Sequence, residues 1–132
     1  MILGVGIEPG TPPEHLAEAV AALGEVVIDV VATLDRRAHE PAILALGRPV
    51  LAYGVAELDA VTVPNPSAVV RRLTGTASVA EAAALLAAGP HGRLVVEKQR
   101  GHGVTVALAA RAHEAASSRA ATTVSGASRI RL

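Results

Sequence analysis

Residues 35–40, Asp-Arg-Arg-Ala-His-Glu, place two carboxylates, two guanidinium groups and an imidazole within six positions. Asp35 and Glu40, with His39 between them, could move protons or hold a metal, because carboxylates and imidazoles serve both tasks. Neither H-x-x-H nor H-E-x-x-H spacing occurs, and His15, His39, His91, His102 and His113 are scattered, so no metal is expected. A solvated charged loop is the simpler account, since loop charges usually sit at the surface. A second cluster is Lys98, Arg100 and His102 in Lys-Gln-Arg-Gly-His-Gly. It could hold the carboxylates of a polyanion or form a basic solvent turn, and the residues alone favour neither. A third is Gly4-Val5-Gly6-Ile7-Glu8-Pro9-Gly10, which could pass for a dinucleotide fingerprint. Gly4 falls inside the strand, however, the helix begins only after Gly10, and Glu8 would repel a pyrophosphate. A glycine turn whose backbone approaches something closely is the plainer reading. No nucleophile elbow supports a Ser-His-Asp site.

The stretch 63–89, VPNPSAVVRRLTGTASVAEAAALLAAG, holds two helix starts. Asn65 can cap a helix beginning at Pro66, where Pro has no N–H to lose. Ser78-Val79-Ala80-Glu81 fits the S-x-x-E capping box, and Gly89-Pro90 is a stop signal. Free N–H donors at such helix starts suit a carboxylate or phosphate. Ordinary helix punctuation is the alternative, and Ser78 and Glu81 read as that.

These groups need a scaffold, and the pattern supplies an alternation of strands and helices. Residues 2–7 read as a buried strand. Thr11-Pro12-Pro13-Glu14 is a capping box with Pro at the first helical position, opening a helix to about Leu23 whose stripe is Leu16, Ala19, Val20 and Leu23. Residues 26–34 are nearly all apolar and β-branched, which predicts a strand covered on both faces, with Asp29 inside it. A short helix over 41–46, a strand over 49–53 and a short helix over 55–60 follow. Strands over 93–97 and 104–108 flank the basic turn 98–103 and predict an antiparallel hairpin. A helix is expected from Ala109 to about Ala116, then a mobile Ala/Ser/Thr-rich tail over 117–132. The expected fold is a three-layer α/β/α domain over 1–116, with a mixed, mostly parallel sheet of about five strands ending in the hairpin. Ligands of such sheets bind beyond the carboxyl ends of the strands. That edge would gather residues 6–11, 35–40 and 65–67.

Composition narrows the function classes. At 132 residues the chain is one domain by length. Hydrophobic residues make up 51%, yet the only aromatic residue is Tyr53, so the core must be Val, Leu, Ile and Ala. Twelve basic residues balance twelve acidic ones. That argues against bulk attraction to nucleic acid or an anionic membrane. The scarcity of rings also removes the stacking platforms of single-strand binders. Cys is absent, which excludes disulfides and thiolate chemistry. No signal peptide and no membrane span is read, so a cytoplasmic protein without a resident cofactor is expected.

Four blocks carry a resemblance: GVGIEPGT at 4–11, ATLDRRAHEPAILALG at 32–47, the 63–89 stretch, and LVVEKQRGHGVTVALA at 94–109. In that order they resemble the CobE family, which is also the C-terminal domain of CbiG proteins of cobalamin biosynthesis. The resemblance implies a protein that binds a polycarboxylate precorrin or corrin intermediate, as carrier, accessory or ring-modifying domain. The alternative it implies is a lactone hydrolase acting on a cobalt-precorrin and releasing acetaldehyde; a small nucleotide-binding domain is a weaker one. Asp35 and Glu40 are the acid–base candidates. Arg37 and Lys98 would hold carboxylates, while Gly6, Gly10, Thr11, Asn65 and Ser67 would offer N–H donors or bond the ligand directly. Other pathway enzymes are possible partners, and a homodimer is one option for assembly. The chain departs from the family pattern at Ile7, Glu8 and Pro9, at Arg37 in place of Lys, at Ala68 and at Glu97.

Overall fold

The computed structural model describes residues 1–64 and 78–111. Its elements in chain order are β1 (Ile2–Ile7), α1 (Pro13–Ala21), β2 (Val30–Leu34), a 3-10 turn (Asp35–Arg37), α2 (Pro41–Leu44), β3 (Val50–Tyr53), α3 (Val55–Asp59), α4 (Val79–Ala88), β4 (Arg93–Arg100) and β5 (Val104–Ala110). They form one five-stranded sheet in the order β3-β2-β1-β5-β4. β1 is parallel to β2, and β2 to β3, while β5 is antiparallel to both β1 and β4. The sheet is therefore mixed and closes with a hairpin, as the sequence predicts.

Alternation along the central strands builds two cores. Ile2, Val30, Ala32 and Ala109 pack under α4 and α3, with Leu58, Ala83 and Ala84. Leu3, Val5, Val31, Val106 and Leu108 face the other way, onto Leu16 of α1 and Ala42 and Ile43 of α2. Successive strand residues point to opposite faces, so a strand buried on both sides reads as a continuous apolar run. That is the three-layer arrangement, made without a single Phe or Trp.

Gly4 explains how α4 comes so near. A Cβ on Gly4 would lie 1.9 Å from the carbonyl oxygen of Ala80 and 2.9 Å from the Cβ of Ala84. Gly4 thus leaves β1 flat where the alanine-rich helix crosses it, whereas a Cβ on Gly6 would only reach ordinary contact with Val79 at 3.5 Å. The glycine motif is a packing device between strand and helix.

Several boundaries move, each for a reason of pairing. The second strand begins at Val30 rather than Val26, because Ile2, at the start of β1, pairs with Val30. With no strand beside it, Val27 is 74% exposed. Asp29 donates its N–H to the Met1 carbonyl at 2.9 Å, and its carboxylate meets the Met1 amine at 2.7 Å. The expected helix from Ala109 gives way to strand, since Ala109 pairs with both Ile2 and Leu94, and Ala110 with Arg93. Alanine's helix propensity is worth under about 1 kcal/mol per residue, and two flanking strands outweigh it. Lys98, Gln99 and Arg100 belong to β4 and not to a turn, with Gln99 opposite Val106 and Arg100 opposite Thr105. The turn proper is 101–103, closed by the Gly101 N–H on the Val104 carbonyl at 2.8 Å.

Neither expected capping box forms. Pro12, not Thr11, occupies the N-cap of α1; the Thr11 hydroxyl instead donates to the Glu8 carbonyl at 2.7 Å. Ser78 is the N-cap of α4 but makes no capping bond. The stop at Gly89 does form, at φ 89°, with its N–H on the carbonyls of Leu85 and Leu86. The Asn65–Pro66 start lies outside the described residues, as does the chain from 112 onward. Among the described residues, no helix is long and apolar enough to cross a membrane.

Candidate functional site

The carboxyl ends of β1 and β2 meet at one edge of the sheet, and the glycine turn after β1 is held there by side chains from the loop after β2. Arg37 donates its Nε–H to the Ile7 carbonyl at 3.1 Å. Gly10, at φ 80°, donates its N–H to Glu40 Oε1 at 3.0 Å. From the other side, the Glu8 N–H reaches the Gly103 carbonyl at 3.0 Å, and Thr11 Oγ1 lies 3.5 Å from the same oxygen. The β4–β5 hairpin tip therefore folds over the turn, and the rings of His15 and His102 meet at 5.5 Å between centroids. The structure thus unites residues 6–11 with Arg37 and Glu40.

These bonds sort the candidates. Glu40 spends one oxygen on a backbone N–H, which makes it a support of the turn. Arg37 commits one of the five donors a guanidinium carries, and its terminal fork is the part suited to a carboxylate. Asp35 is exposed and opens the 3-10 turn, with its carboxylate directed toward Gly54, where the Glu57 side chain accepts the Gly54 N–H at 2.8 Å. Asp35 thus lies beside the β3–α3 corner. Asn65 and Ser67 lie outside the described residues. Among the described residues no three or more His, Asp or Glu side chains are grouped to hold a metal ion.

Lys98 reaches the same edge from a different direction. β4 runs parallel to β1 with β5 between them, so its last residues end where β1 ends. The first turn of α4 lies there too, because Gly6 sits beside Val79. Lys98 is half-buried. Burial lowers its pKa from the usual lysine range, the Arg100 charge lowers it further, and the Glu81 carboxylate works in the opposite direction.

Sequence reasoning set aside the two polar residues that matter here. Glu81 has 0% exposure, and its Oε2 accepts the Lys98 N–H at 2.9 Å. Ser78, 2% exposed, has a hydroxyl with no hydrogen-bond partner among the described residues. A signal for Glu81 did exist. A helix apolar on all sides is a buried helix, and the one carboxylate of Val-Ala-Glu-Ala-Ala-Ala-Leu-Leu must go inside with it.

The fold defines the chain as a small α/β/α domain, with helices on both faces of a mixed five-stranded sheet. The chain belongs to the family described as cobalamin synthesis G C-terminus, whose model matches residues 1–109. It is similar to the protein CobE of a Sinorhizobium species, at 41% identity over 123 residues, covering 83% of this chain and 79% of that protein. The fold matches the crystal structure of CobE, a protein from the cobalamin (vitamin B12) biosynthetic pathway. There the TM-score is 0.70 at 33% identity, with 82% of this chain and 87% of that one covered. A cobalamin biosynthesis protein from Agrobacterium tumefaciens matches with a TM-score of 0.63 at 28% identity, covering 84% and 98%.

Proposed function

We propose that the protein binds a polycarboxylate corrin intermediate at the carboxyl edge of its sheet and acts as a carrier or accessory protein in cobalamin biosynthesis. The observation that supports this most is the distribution of charge. In a chain of zero net charge, Arg37 and Lys98 approach one edge, beside the glycine turn and the first turn of α4. Guanidinium, ammonium and helix-end N–H groups are the donors that carboxylate arms take.

The carrier reading is preferred to hydrolysis because Glu40, one of the two acid–base candidates, is engaged with the Gly10 N–H. The hydrolase alternative then rests on Asp35. Incubation with a precorrin intermediate separates the two. A carrier gives a spectral change that saturates at stoichiometric protein, whereas an enzyme gives product in excess of protein, lost in Asp35→Asn. Absence of binding by any precorrin or corrin would sink both.

A further inference from the structure

We infer that His15 and His102 form a binding site for one divalent late-transition-metal ion of the imidazole-seeking class (copper, nickel, zinc), and that the bound ion staples the β4–β5 tip to α1. The inference stands apart from the corrin reading and does not depend on it.

The two histidines are far apart in sequence, and the fold sets them side by side. Gly101, one residue before His102, packs on α1: a Cβ on Gly101 would lie 3.4 Å from the Ala19 Cβ. Ala19 is one helical turn beyond His15, and residues four apart share a helix face. The tip thus runs along α1, with Gly101 over one turn and His102 over the turn before it. The backbone is fixed around both rings. The Gly101 N–H bonds the Val104 carbonyl at 2.8 Å, the Glu8 N–H bonds the Gly103 carbonyl at 3.0 Å, and the His15 N–H bonds the Pro12 carbonyl at 3.0 Å.

The ring centroids are 5.5 Å apart, with planes inclined by 48°. Zinc stands about 2.1 Å from a ring nitrogen, itself about 1.2 Å from its ring centre, so two imidazoles on one tetrahedral ion hold their centres about 5.2 Å apart. The pair is already near that spacing. The last torsion of histidine is broad, so each ring can turn a nitrogen to the gap within its own rotamer. The ring contact is the only polar or ring interaction of either side chain among the described residues. The lone pair of each neutral imidazole is therefore free for a metal. His15 is half-buried and His102 exposed, so an ion reaches them from solvent and water completes its shell.

The surrounding charge favours a cation. Glu18 is one turn along α1 from His15, Glu14 precedes His15, and Glu8 Oε1 would stand 3.8 Å from a Cβ on Gly103. Arg100, at the end of β4, is the opposing charge. Imidazoles select copper, nickel and zinc, whereas magnesium and calcium take oxygen ligands.

The test is calorimetric titration of the full chain with zinc, nickel and copper chlorides in a non-coordinating buffer. One equivalent should bind, copper more tightly than nickel, and magnesium should not bind. His15→Gln and His102→Gln should each weaken binding by more than the about 10–100-fold that loss of an outer-shell partner costs. His91→Gln should change nothing. With zinc at ten times its dissociation constant, hydrogen exchange of the Gly101 amide should slow about tenfold, because opening the tip must first release the ion.

Absence of binding by all three ions overturns the inference and leaves a bare ring contact. Binding that survives both single variants overturns it too, by placing the ion elsewhere. Single variants that each halve the stoichiometry would show two separate imidazoles rather than one site. Unchanged Gly101 exchange with zinc bound overturns the staple. If His15→Gln fails to fold, His102→Gln on the exposed tip decides. None of these results bears on the corrin reading, which the precorrin incubation tests.

Discussion

Replacing Gly4 with Ala tests the closest approach in the molecule. The new Cβ would stand 1.9 Å from the Ala80 carbonyl oxygen, where a carbon–oxygen contact takes roughly 3.3 Å, a shortfall of about 1.4 Å. The obstruction is helix backbone, already bonded within α4, so no side chain can swing aside. The Ala84 Cβ, at 2.9 Å, blocks the next turn as well. Either α4 lifts off β1 or β1 bows, and both open a core in which Ala83 and Ala84 are wholly buried. Overpacking costs about 1–3 kcal/mol and sometimes more, and removing a strand glycine returns about 0.5–1 kcal/mol of chain entropy. The net expectation is a loss of about 2 kcal/mol or more, out of a total stability of about 5–15 kcal/mol. With a urea slope of about 1.5 kcal/mol per molar, the unfolding midpoint followed by circular dichroism should fall by about 1 M or more. Gly6→Ala is the internal control. Its Cβ would find Val79 at 3.5 Å and nothing nearer, an ordinary contact, so a shift within about 0.5 kcal/mol is expected. Equal midpoints for the two variants would refute the account of Gly4 as the point where α4 meets β1 too closely for a side chain.

Ser78→Ala should leave the melting temperature unchanged or raise it, because the hydroxyl it removes is buried and has no hydrogen-bond partner among the described residues. A working N-cap would instead lose about 1 kcal/mol in the same thermal scan. Thr33→Val should cost about 1 kcal/mol by urea denaturation, through loss of the buried bond from Thr33 Oγ1 to the Val5 carbonyl at 2.8 Å. Tyr53 is the single tyrosine, so ultraviolet difference absorbance reads it alone. Its midpoint should lie above 10.0, raised first by burial and then by Glu57. Glu57→Gln should bring the midpoint down. Because the unfolded phenol ionises first, stability should fall as pH rises from 10.0 through the folded value.

The irregular register of β4 bears on assembly of the sheet. β4 is an edge strand, and edge strands invite pairing with other chains. Two register breaks interrupt it, one between Leu94 and Val96 and one between Val96 and Gln99. The second supplies the N–H that Glu81 takes. One irregularity thus roughens an exposed edge and creates the polar contact beneath Lys98.

Much of the architecture is local in origin. The apolar runs at 2–7 and 104–108 specify strands whose residues alternate between two cores, and residues 13–21 and 79–88 specify helices by spacing and by the glycine stop at Gly89. The glycine turn, Arg37 and Glu40 could be assigned to one edge because strand order and the carboxyl-end rule constrain them together. Other features depend on partners distant in sequence. Residues 26–29 have strand propensity but no strand beside them. Ala109 and Ala110 have helix propensity but lie between β1 and β4. Thr11 and Ser78 have the right types for capping, yet Thr11 is drawn to Glu8, and Ser78 is buried and makes no capping bond.

Glu81 shows the division most clearly. Its position three residues after Ser78 is also that of a capping-box carboxylate, which would turn back to the helix start. Its place in an otherwise apolar helix determines that it is buried. Only the tertiary structure decides where the carboxylate points. The N–H it takes is exposed by a mismatch between two strands more than ten residues further along, and no local pattern encodes the register of a bulge.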